Sequence, residues 1–259
     1  MDFKIACLGD PLVDLYKEGC RGKEISQELN GGALNTYRNL CKLVGSSNIY
    51  FILPDMPQTY SKALRIIRSN SIRIKNDLDS NSFYEDFNAV KTLCNLKPRS
   101  IVMSDYNRGY LNRYSYLDKM PQTKYVFVDS KYRSLDDRWL SGAENKILKC
   151  TQSEYDASFA SQFDWVYVTD HSRPIKLLCG ETGNVLALIP VPKCDDIKSD
   201  IGAGDSYLAG LAAYITFYNE LTIKVLIKAG QKAICIAQDA IKQPKTSTTR
   251  ITLEQNVYN

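Results

Sequence analysis

The sequence predicts an α/β protein in which helices cover both faces of a mostly parallel sheet. Three observations support this fold class. Short apolar runs rich in β-branched and aromatic residues recur along the chain, helical patterns separate them, and the alternation suits right-handed crossovers between parallel strands. No linker rich in proline, glycine or serine interrupts the apolar segments of the 259 residues. We therefore expect a single domain over residues 1–259.

The expected parallel strands are short apolar runs, as is usual for strands that are buried on both faces. They span residues 3–8, 49–53, 101–103, 125–128 and 165–169. Two later runs, around residues 175–178 and 185–189, are expected to form antiparallel strands.

The expected helices are apolar patterns with helical spacing. The first runs from 33 to 44, between the first two strands, and ends at Gly45, a residue type that commonly terminates helices. A second begins just after Gly204 and runs to about residue 218, and a third spans 221–241. With the strands, these helices predict a three-layer α/β/α sandwich.

Composition and charge bear on the expected partners and on the expected compartment. The net charge is +4 with scattered basic residues and no zinc-finger or RNA-binding signature, so we expect no nucleic-acid partner. No apolar stretch approaches the roughly 20 residues that span a bilayer, and the amino terminus does not resemble a secretion signal, so no membrane partner is expected. None of the eight cysteines forms a CxxC pair, which favours free thiols in a reducing cytoplasm.

The most informative stretch is a glycine-rich turn that leads directly into a helix, from Ser199 to Gly210. Small residues and the amino terminus of a helix present backbone N–H groups and partial positive charge to an anion such as a phosphoryl group. Asp205 lies at the same terminus and is placed to accept the proton of an attacking hydroxyl. Taken alone, the pattern fits equally well a helix that Asp205 merely caps.

This stretch resembles the signature Asp-Thr-x-Gly-Ala-Gly-Asp-Ser/Thr-Phe of the ribokinase or PfkB family of carbohydrate kinases. The resemblance implies a ribokinase-like fold and transfer of the γ-phosphoryl group of ATP, with Mg²⁺, to a sugar hydroxyl. It makes Asp205 the catalytic base. It also implies that the amides of Gly202, Ala203 and Gly204 stabilise the transferring phosphoryl group.

Two amino-terminal segments resemble the sugar-binding parts of the same family. The segment from Gly9 to Asp14 resembles its first strand and the aspartate that binds sugar hydroxyls, which is Asp14 here. Gly31, Gly32 and Asn35 resemble its Gly-Gly-Ala-x-Asn signature, so the glycines are expected to admit the sugar and Asn35 to hydrogen-bond it.

Two further segments resemble kinases that phosphorylate heptose 7-phosphate on the route to ADP-heptose. They run from Ser104 to Leu111 and from Val128 to Lys131, and they add Asp105 and Lys131 to the expected substrate-binding residues. The resemblance makes D-glycero-D-manno-heptose 7-phosphate the expected acceptor among sugars and sugar phosphates.

The nucleotide and metal residues follow from weaker parts of the resemblance. Glu154 matches the glutamate of the family's Asn-x-x-Glu motif and is expected to hold Mg²⁺ through water. Thr169 and Thr246 fall in segments that lie close to the nucleotide in the family.

The sequence departs from the family in single residues and in length, and the segment 46–99 is shorter than expected, which leaves 71–78 as a remnant of the substrate-covering strands. Thr151 replaces the asparagine of Asn-x-x-Glu, Ser199 replaces the leading aspartate of the glycine-rich signature, and Pro174 falls where relatives have a glycine-containing turn. Only 16 residues separate Asp14 from Gly31, so a reduced or absent β lid is expected over residues 14–31, and with it a monomer or an atypical homodimer. These departures keep a second function open, a degenerate relative that binds nucleotide or sugar as a regulatory or scaffold module. A nucleic-acid binder ranks last.

Overall fold

The computed structural model describes residues 3–9, 12–18, 24–52, 61–68, 71–78, 89–106, 111, 119–131, 135–243 and 248–253. Within 12–18, 24–30, 61–68 and 71–78 the description covers the backbone alone.

The described strands are β1 (Ile5–Gly9), β2 (Leu12–Glu18), β3 (Glu24–Asn30), β4 (Ile49–Phe51), β5 (Ser61–Arg68), β6 (Ser71–Leu78), β7 (Ser100–Asp105), β8 (Thr123–Ser130), β9 (Ala143–Thr151), β10 (Trp165–Thr169), β11 (Ile175–Cys179) and β12 (Val185–Ile189). The described helices are α1 (Gly32–Val44), α2 (Ala89–Leu96), α3 (Ala157–Ala160), α4 (Ala203–Ile215) and α5 (Ile223–Ile241), with a 3₁₀ helix at Asp137–Leu140.

The main sheet has eight strands in the order β12-β11-β10-β9-β8-β7-β1-β4. The six strands from β10 to β4 are parallel to their neighbours, and β11 and β12 extend the sheet as an antiparallel pair. The predicted mostly parallel sheet is confirmed, including its antiparallel edge.

Helices lie on both faces of this sheet, because alternate residues of each strand point to opposite sides. In β7, Val102 packs in one hydrophobic cluster with α1, α4 and α5, while Ile101 and Met103 pack in the other with α2. The second cluster also holds Trp139 of the 3₁₀ helix and Phe159 of α3. The three-layer α/β/α sandwich predicted from the sequence is confirmed.

A second sheet has four strands in the order β3-β2-β5-β6. Residues 14–31 carry β3 and most of β2, paired as an antiparallel hairpin, so the absent form of the expected lid is wrong, and a reduced lid stays a prediction. The prediction compared segment lengths with longer relatives, whereas two seven-residue strands and a short connection fit within the available residues. Ser71–Leu78, expected to be a remnant of the substrate-covering strands, is β6 and pairs with β5.

Strand β9 lies between β8 and β10 near the middle of the main sheet and was not predicted. Its apolar run is broken by Lys146 and Lys149, so its composition does not resemble that of a buried strand. Lys149 is nevertheless buried, which is possible only because an acidic side chain pairs with it.

Among the described helices, none is long and apolar enough to cross a membrane. The cysteines within the described ranges are free thiols, as the sequence predicted.

Arg99 closes the carboxyl end of α4, where the last carbonyl groups of a helix lack partners within the helix. Its guanidinium donates to the carbonyl oxygens of Thr216 at 2.7 Å and Tyr218 at 2.8 Å, and to Oδ1 of Asn219 at 2.7 Å. We expect Arg99→Ala to lower the free energy of unfolding in urea by about 1.5–3 kcal/mol, the usual contribution of hydrogen bonds to a charged group.

Arg173→Ala is the matched control, because the Arg173 side chain is largely exposed and its ion pair within the described residues is with nearby Asp170. It should leave the free energy of unfolding nearly unchanged. Equal losses in the two variants would contradict the role assigned to Arg99.

Candidate active site

The candidate site lies at the carboxyl edge of the main sheet, where ligands bind in parallel α/β sheets. Strands β1, β7, β8 and β9 are consecutive parallel neighbours, so their carboxyl ends meet there. Gly9 at the end of β1 lies so close to β7 that a Cβ atom would be 2.1 Å from the carbonyl oxygen of Ser104. The amino termini of α1 and α4 reach the same region, because Asn35 of α1 contacts Asp205 of α4.

Helix α4 begins with a backbone turn that suits an anion. Gly202 precedes the helix in the left-handed conformation (φ 85°, ψ 0°), which glycine adopts without strain, and no side chain caps the helix. The N–H of Ala203 makes a long bond of 3.3 Å to the carbonyl of Asp200. The N–H groups of Gly204 and Asp205 belong to the first turn, which has no acceptors within the helix. These amides are the available donors.

The carboxyl group of Asp205 is buried, and both of its oxygens accept hydrogen bonds. Asn35 Nδ2 donates to Oδ2 at 3.1 Å, and the Tyr106 hydroxyl donates to Oδ1 at 3.2 Å. Asp205 is therefore fixed in orientation and does not cap the helix that contains it.

Asn35 is itself held in one orientation. Its Oδ1 accepts a bond from Asn39 Nδ2 at 3.3 Å, and its carbonyl oxygen accepts another from the same amide at 2.8 Å, so Nδ2 faces Asp205. Asn39 Oδ1 in turn accepts the N–H of Thr249 at 2.9 Å. A chain of buried amides thus links the carboxyl-terminal segment to the carboxyl group of Asp205.

The surroundings of Asp205 raise its pKa above the ordinary value for an aspartate. Burial is the largest cause, and the nearby carboxylate of Asp129 acts in the same direction. The hydrogen bond from Asn35 and the ammonium groups of Lys131 and Lys149 lower the pKa and partly offset burial. An elevated pKa makes the carboxylate a stronger base once it is ionised.

A buried ion pair lies directly beneath the first turn of α4. Lys149 Nζ is 2.8 Å from Asp129 Oδ2, and both side chains are almost fully buried. A Cβ atom on Gly204 would be 2.7 Å from Lys149 Nζ, so the ammonium packs against the glycine backbone. Burial is the largest single influence on the pKa of Lys149 and lowers it, but the carboxylates of Asp129, Glu154 and Asp205 together outweigh burial, and the pKa is raised.

Neither member of this ion pair was predicted to take part in the site. The sequence signal for this ion pair is Lys149 itself, which lies within the otherwise apolar run Ile147-Leu148-Lys149-Cys150. A lysine buried in such a run needs an acidic partner.

Tyr106 was also not predicted as a site residue, although it lies in a segment that resembles the heptose kinases. Its ring occupies the space above Gly32, where a Cβ atom would be 2.0 Å from the ring. Lys131 Nζ lies 4.1 Å from the ring centroid, within cation–π range. Gly32 therefore admits Tyr106, and Lys131 is brought to the same place.

The other residues expected to bind substrate differ in how far the structure describes them. Gly31 precedes α1 with φ 92°, a conformation that favours glycine. Asp105 is buried and accepts a bond from the Ser130 hydroxyl at 2.7 Å. Asp14 lies in β2, opposite Glu28 of β3, but its side chain is outside the described part of the structure.

Glu154 and Thr169, expected near the metal and the nucleotide, lie farther along the same edge. Glu154 follows β9, and its Oε2 accepts the N–H of Thr151 at 2.8 Å. Thr169 ends β10 and donates to the carbonyl of Cys150 at 3.2 Å. Thr246 lies outside the described residues.

The carboxylate of Glu154 is compatible with a hydrated Mg²⁺. No group of three or more metal-binding side chains occurs among the residues that the structure describes. Mg²⁺ commonly retains several waters and uses only one or two carboxylates together with phosphate oxygens. Glu154 supplies such a carboxylate, and the electrostatic influence of Glu154 on Lys149 indicates that it lies near the ion pair.

Two departures from the family pattern have a visible structural outcome. Ser199 is buried, and its hydroxyl accepts the N–H of Ile201 at 3.2 Å, so serine supports the turn that leads into Gly202. The loop that contains His171 and Pro174 is exposed. His171 is therefore a surface residue.

No protein-family model matches the sequence, and no curated protein matches it. Solved structures do match over almost the whole chain. A ribokinase from Giardia lamblia superposes with a TM-score of 0.71 at 12% identity, covering 96% of this chain and 97% of that one. The protein has the ribokinase fold.

Other structures with this fold are similarly close in shape and similarly distant in sequence. An aminoimidazole riboside kinase from Salmonella enterica, solved with its riboside and an ATP analogue, has a TM-score of 0.64 at 16% identity, covering 98% of this chain and 99% of that one. A fructokinase from Vibrio cholerae, solved with fructose, ADP and calcium, has a TM-score of 0.62 at 12% identity, covering 99% and 98%. The ribokinase-like fold predicted from the glycine-rich signature is confirmed.

Proposed function

We propose that this protein is an ATP-dependent carbohydrate kinase that transfers the γ-phosphoryl group to a hydroxyl of a sugar or sugar phosphate. One observation carries the proposal. A buried carboxylate, Asp205, is held by two hydrogen-bond donors at the first turn of a helix that begins with the left-handed Gly202. A base and an anion-binding turn are thus adjacent, which is the arrangement that phosphoryl transfer to a hydroxyl requires.

In this mechanism Asp205 Oδ1 accepts the proton of the acceptor hydroxyl. The acceptor oxygen forms a bond to the γ-phosphorus as the bond from that phosphorus to the bridging oxygen of ADP breaks. The Tyr106 hydroxyl, 3.2 Å from Oδ1, supports this geometry because it demonstrates that a hydroxyl fits against that oxygen. The acceptor takes this place when Tyr106 moves aside.

The amides at the start of α4 stabilise the charge that gathers on the transferring phosphoryl group. In the proposal the cradle comprises Gly202, Ala203 and Gly204, with the amide of Asp205 as a further donor. Mg²⁺, when bound, neutralises charge on the phosphates. Glu154 would hold the waters of that ion and Thr169 would lie beside the nucleotide, where the resemblance also puts Thr246.

The favoured acceptor is D-glycero-D-manno-heptose 7-phosphate, on the basis of the two segments that resemble heptose 7-phosphate kinases. Lys131 supports an acceptor that carries a phosphate, because its ammonium lies over the ring of Tyr106, whose hydroxyl contacts Asp205. Asp14, Gly31, Gly32 and Asp105 line the sugar in this proposal. Asn35 acts chiefly by holding Asp205, since its amide nitrogen is already directed at the carboxylate.

The second candidate function is a binding module with little or no turnover. It is favoured by the burial of Asp205, whose two oxygens each already accept a hydrogen bond from the protein. Thr151 in place of the family's asparagine points in the same direction. Such a protein would bind nucleotide or sugar as a regulatory or scaffold component.

An ADP-release assay with Mg²⁺, ATP and a panel of sugars and sugar phosphates, including heptose 7-phosphate, separates these functions. ADP release that depends on one sugar supports the kinase and identifies the acceptor. Bound ATP without ADP release on any sugar in the panel would favour the binding module.

A further inference from the structure

We propose that Lys149 is a positioning residue for the phosphoryl-transfer site, in which its ammonium, held by Asp129 beneath Gly204, sets the charge state of Asp205 and the position of the first turn of α4. The catalytic part of this inference rests on the proposed kinase function. The electrostatic part concerns the carboxyl group alone and does not depend on turnover.

The first observation is the close packing between the lysine and the helix. Lys149 Nζ is near enough to Gly204 that even a methyl group on that residue would overlap it, with only 2.7 Å between the Cβ and nitrogen positions. Asp129 Oδ2 would be 3.7 Å from the same Cβ position. The ion pair therefore forms the floor beneath the residue that precedes Asp205.

The second observation is that the ion pair is only partly satisfied. Asp129 Oδ1 is buried without a hydrogen-bond partner in the described part of the protein. Buried polar networks that are left partly unsatisfied stabilise a protein less than an apolar core of the same shape. Stability alone therefore gives no reason to keep Asp129 and Lys149 here.

The third observation is the set of groups that face Asp205 from every neighbouring element. Asn35 approaches from α1, Tyr106 follows β7, and Lys131 follows β8. Asp129 on β8 and Lys149 on β9 act on the carboxyl group in opposite directions, since the carboxylate raises its pKa and the ammonium lowers it.

The inference can be tested because Lys149 and Asp129 affect the pKa of Asp205 in opposite directions. Lys149→Met removes the ammonium and leaves the carboxylate of Asp129, so the pKa of Asp205 should rise. Asp129→Asn removes the carboxylate and leaves the ammonium, so the pKa of Asp205 should fall. The double variant should lie between the two single variants, because both charges are absent.

The measurement is a carbon-13 NMR titration of protein labelled at its aspartate carboxyl groups, with the Asp205 signal assigned by its loss in Asp205→Asn. Lys146→Met is the matched control, because it removes the same charge from the same strand at a residue that is not among those acting on Asp205. It should leave the titration of Asp205 unchanged.

Shifts in opposite directions in the two single variants support the inference. Absent shifts, or shifts in the same direction, overturn it, since a purely structural role would disturb both variants alike. If Lys149→Met does not fold, Asp129→Asn alone tests the inference. A lowered pKa of Asp205 is then expected, and an unchanged pKa of Asp205 would contradict the inference.

Once an acceptor is known, the same variants test the catalytic part. Lys149→Met should lower kcat by at least about tenfold, as expected when a base is misplaced, and should move the acid limb of kcat/KM to higher pH. An unchanged kcat would overturn this part. If the wild-type protein phosphorylates nothing, the proposed function fails, while the titration of Asp205 still tests the electrostatic part.

Discussion

Asp205→Asn is expected to lower kcat by about a hundred- to ten-thousand-fold, the usual contribution of a general base. The affinity for ATP should stay near that of the wild type, because the base acts on the acceptor hydroxyl in the transition state. The asparagine keeps the shape of the side chain. Its oxygen can accept from Asn35, and its amide group can donate to the hydroxyl of Tyr106, which is able to reverse its role.

The same variant should unfold at a higher temperature than the wild type at neutral pH. Burial raises the pKa of Asp205 in the folded state above its unfolded value, so the folded protein binds a proton more tightly. The contribution of Asp205 to stability therefore falls as pH rises from its unfolded-state pKa to its folded-state pKa. Above both values this contribution is lost completely. Asparagine carries no charge and avoids this loss.

Calorimetry and the ADP-release assay together check this prediction. A variant that is at least as stable as the wild type and nearly inactive shows that the lost activity is not a loss of folding. Unchanged turnover would exclude Asp205 as the base.

Gly202→Ala is expected to lower kcat by about a hundredfold or more, the effect of losing one backbone donor to a developing negative charge. Gly202 has φ 85°, and an alanine in this left-handed region costs about 1–2 kcal/mol unless the turn rearranges. Rearrangement would relieve the strain by moving the amides at the start of α4 away from the phosphoryl group.

Gly183→Ala is the matched control for backbone strain. Gly183 also has a positive φ, 68°, and is exposed between β11 and β12. A Cβ atom there would contact only the Tyr155 hydroxyl, at 3.8 Å. Both variants should lose similar stability in urea, and only Gly202→Ala should lose activity. Equal kcat values for the two variants would mean that the α4 turn does not hold the phosphoryl group.

The sequence predicted the parts of the fold that its local patterns determine. Strand β10 was predicted at its observed bounds, residues 165–169, because its apolar run is bounded by polar residues. Helix α1 begins at Gly32, one residue before the predicted start. The prediction was this close because the two glycines mark the start of the helix and the apolar spacing identifies its buried face. The position of Asp205 in the first turn of α4 followed from the glycine-rich signature.

The rest depends on contacts between residues that are distant in the chain. Lys149 appears unfavourable in a buried strand until Asp129 of the neighbouring strand is placed beside it. The contact between Tyr106 and Asp205 joins residues 99 positions apart, and no local pattern reports it. The hairpin of β2 and β3 was not predicted strand by strand because only segment length was compared with relatives, whereas pairing partners determine whether short strands form.

The most direct test of the account is phosphorus-31 NMR of the wild-type protein with Mg²⁺, ATP and the acceptor identified in the panel. We predict a new phosphomonoester signal that grows in step with ADP and is absent with Asp205→Asn. Formation of ADP and inorganic phosphate without a phosphorylated sugar, or equal product from Asp205→Asn, would contradict a carbohydrate kinase that uses Asp205 as its base.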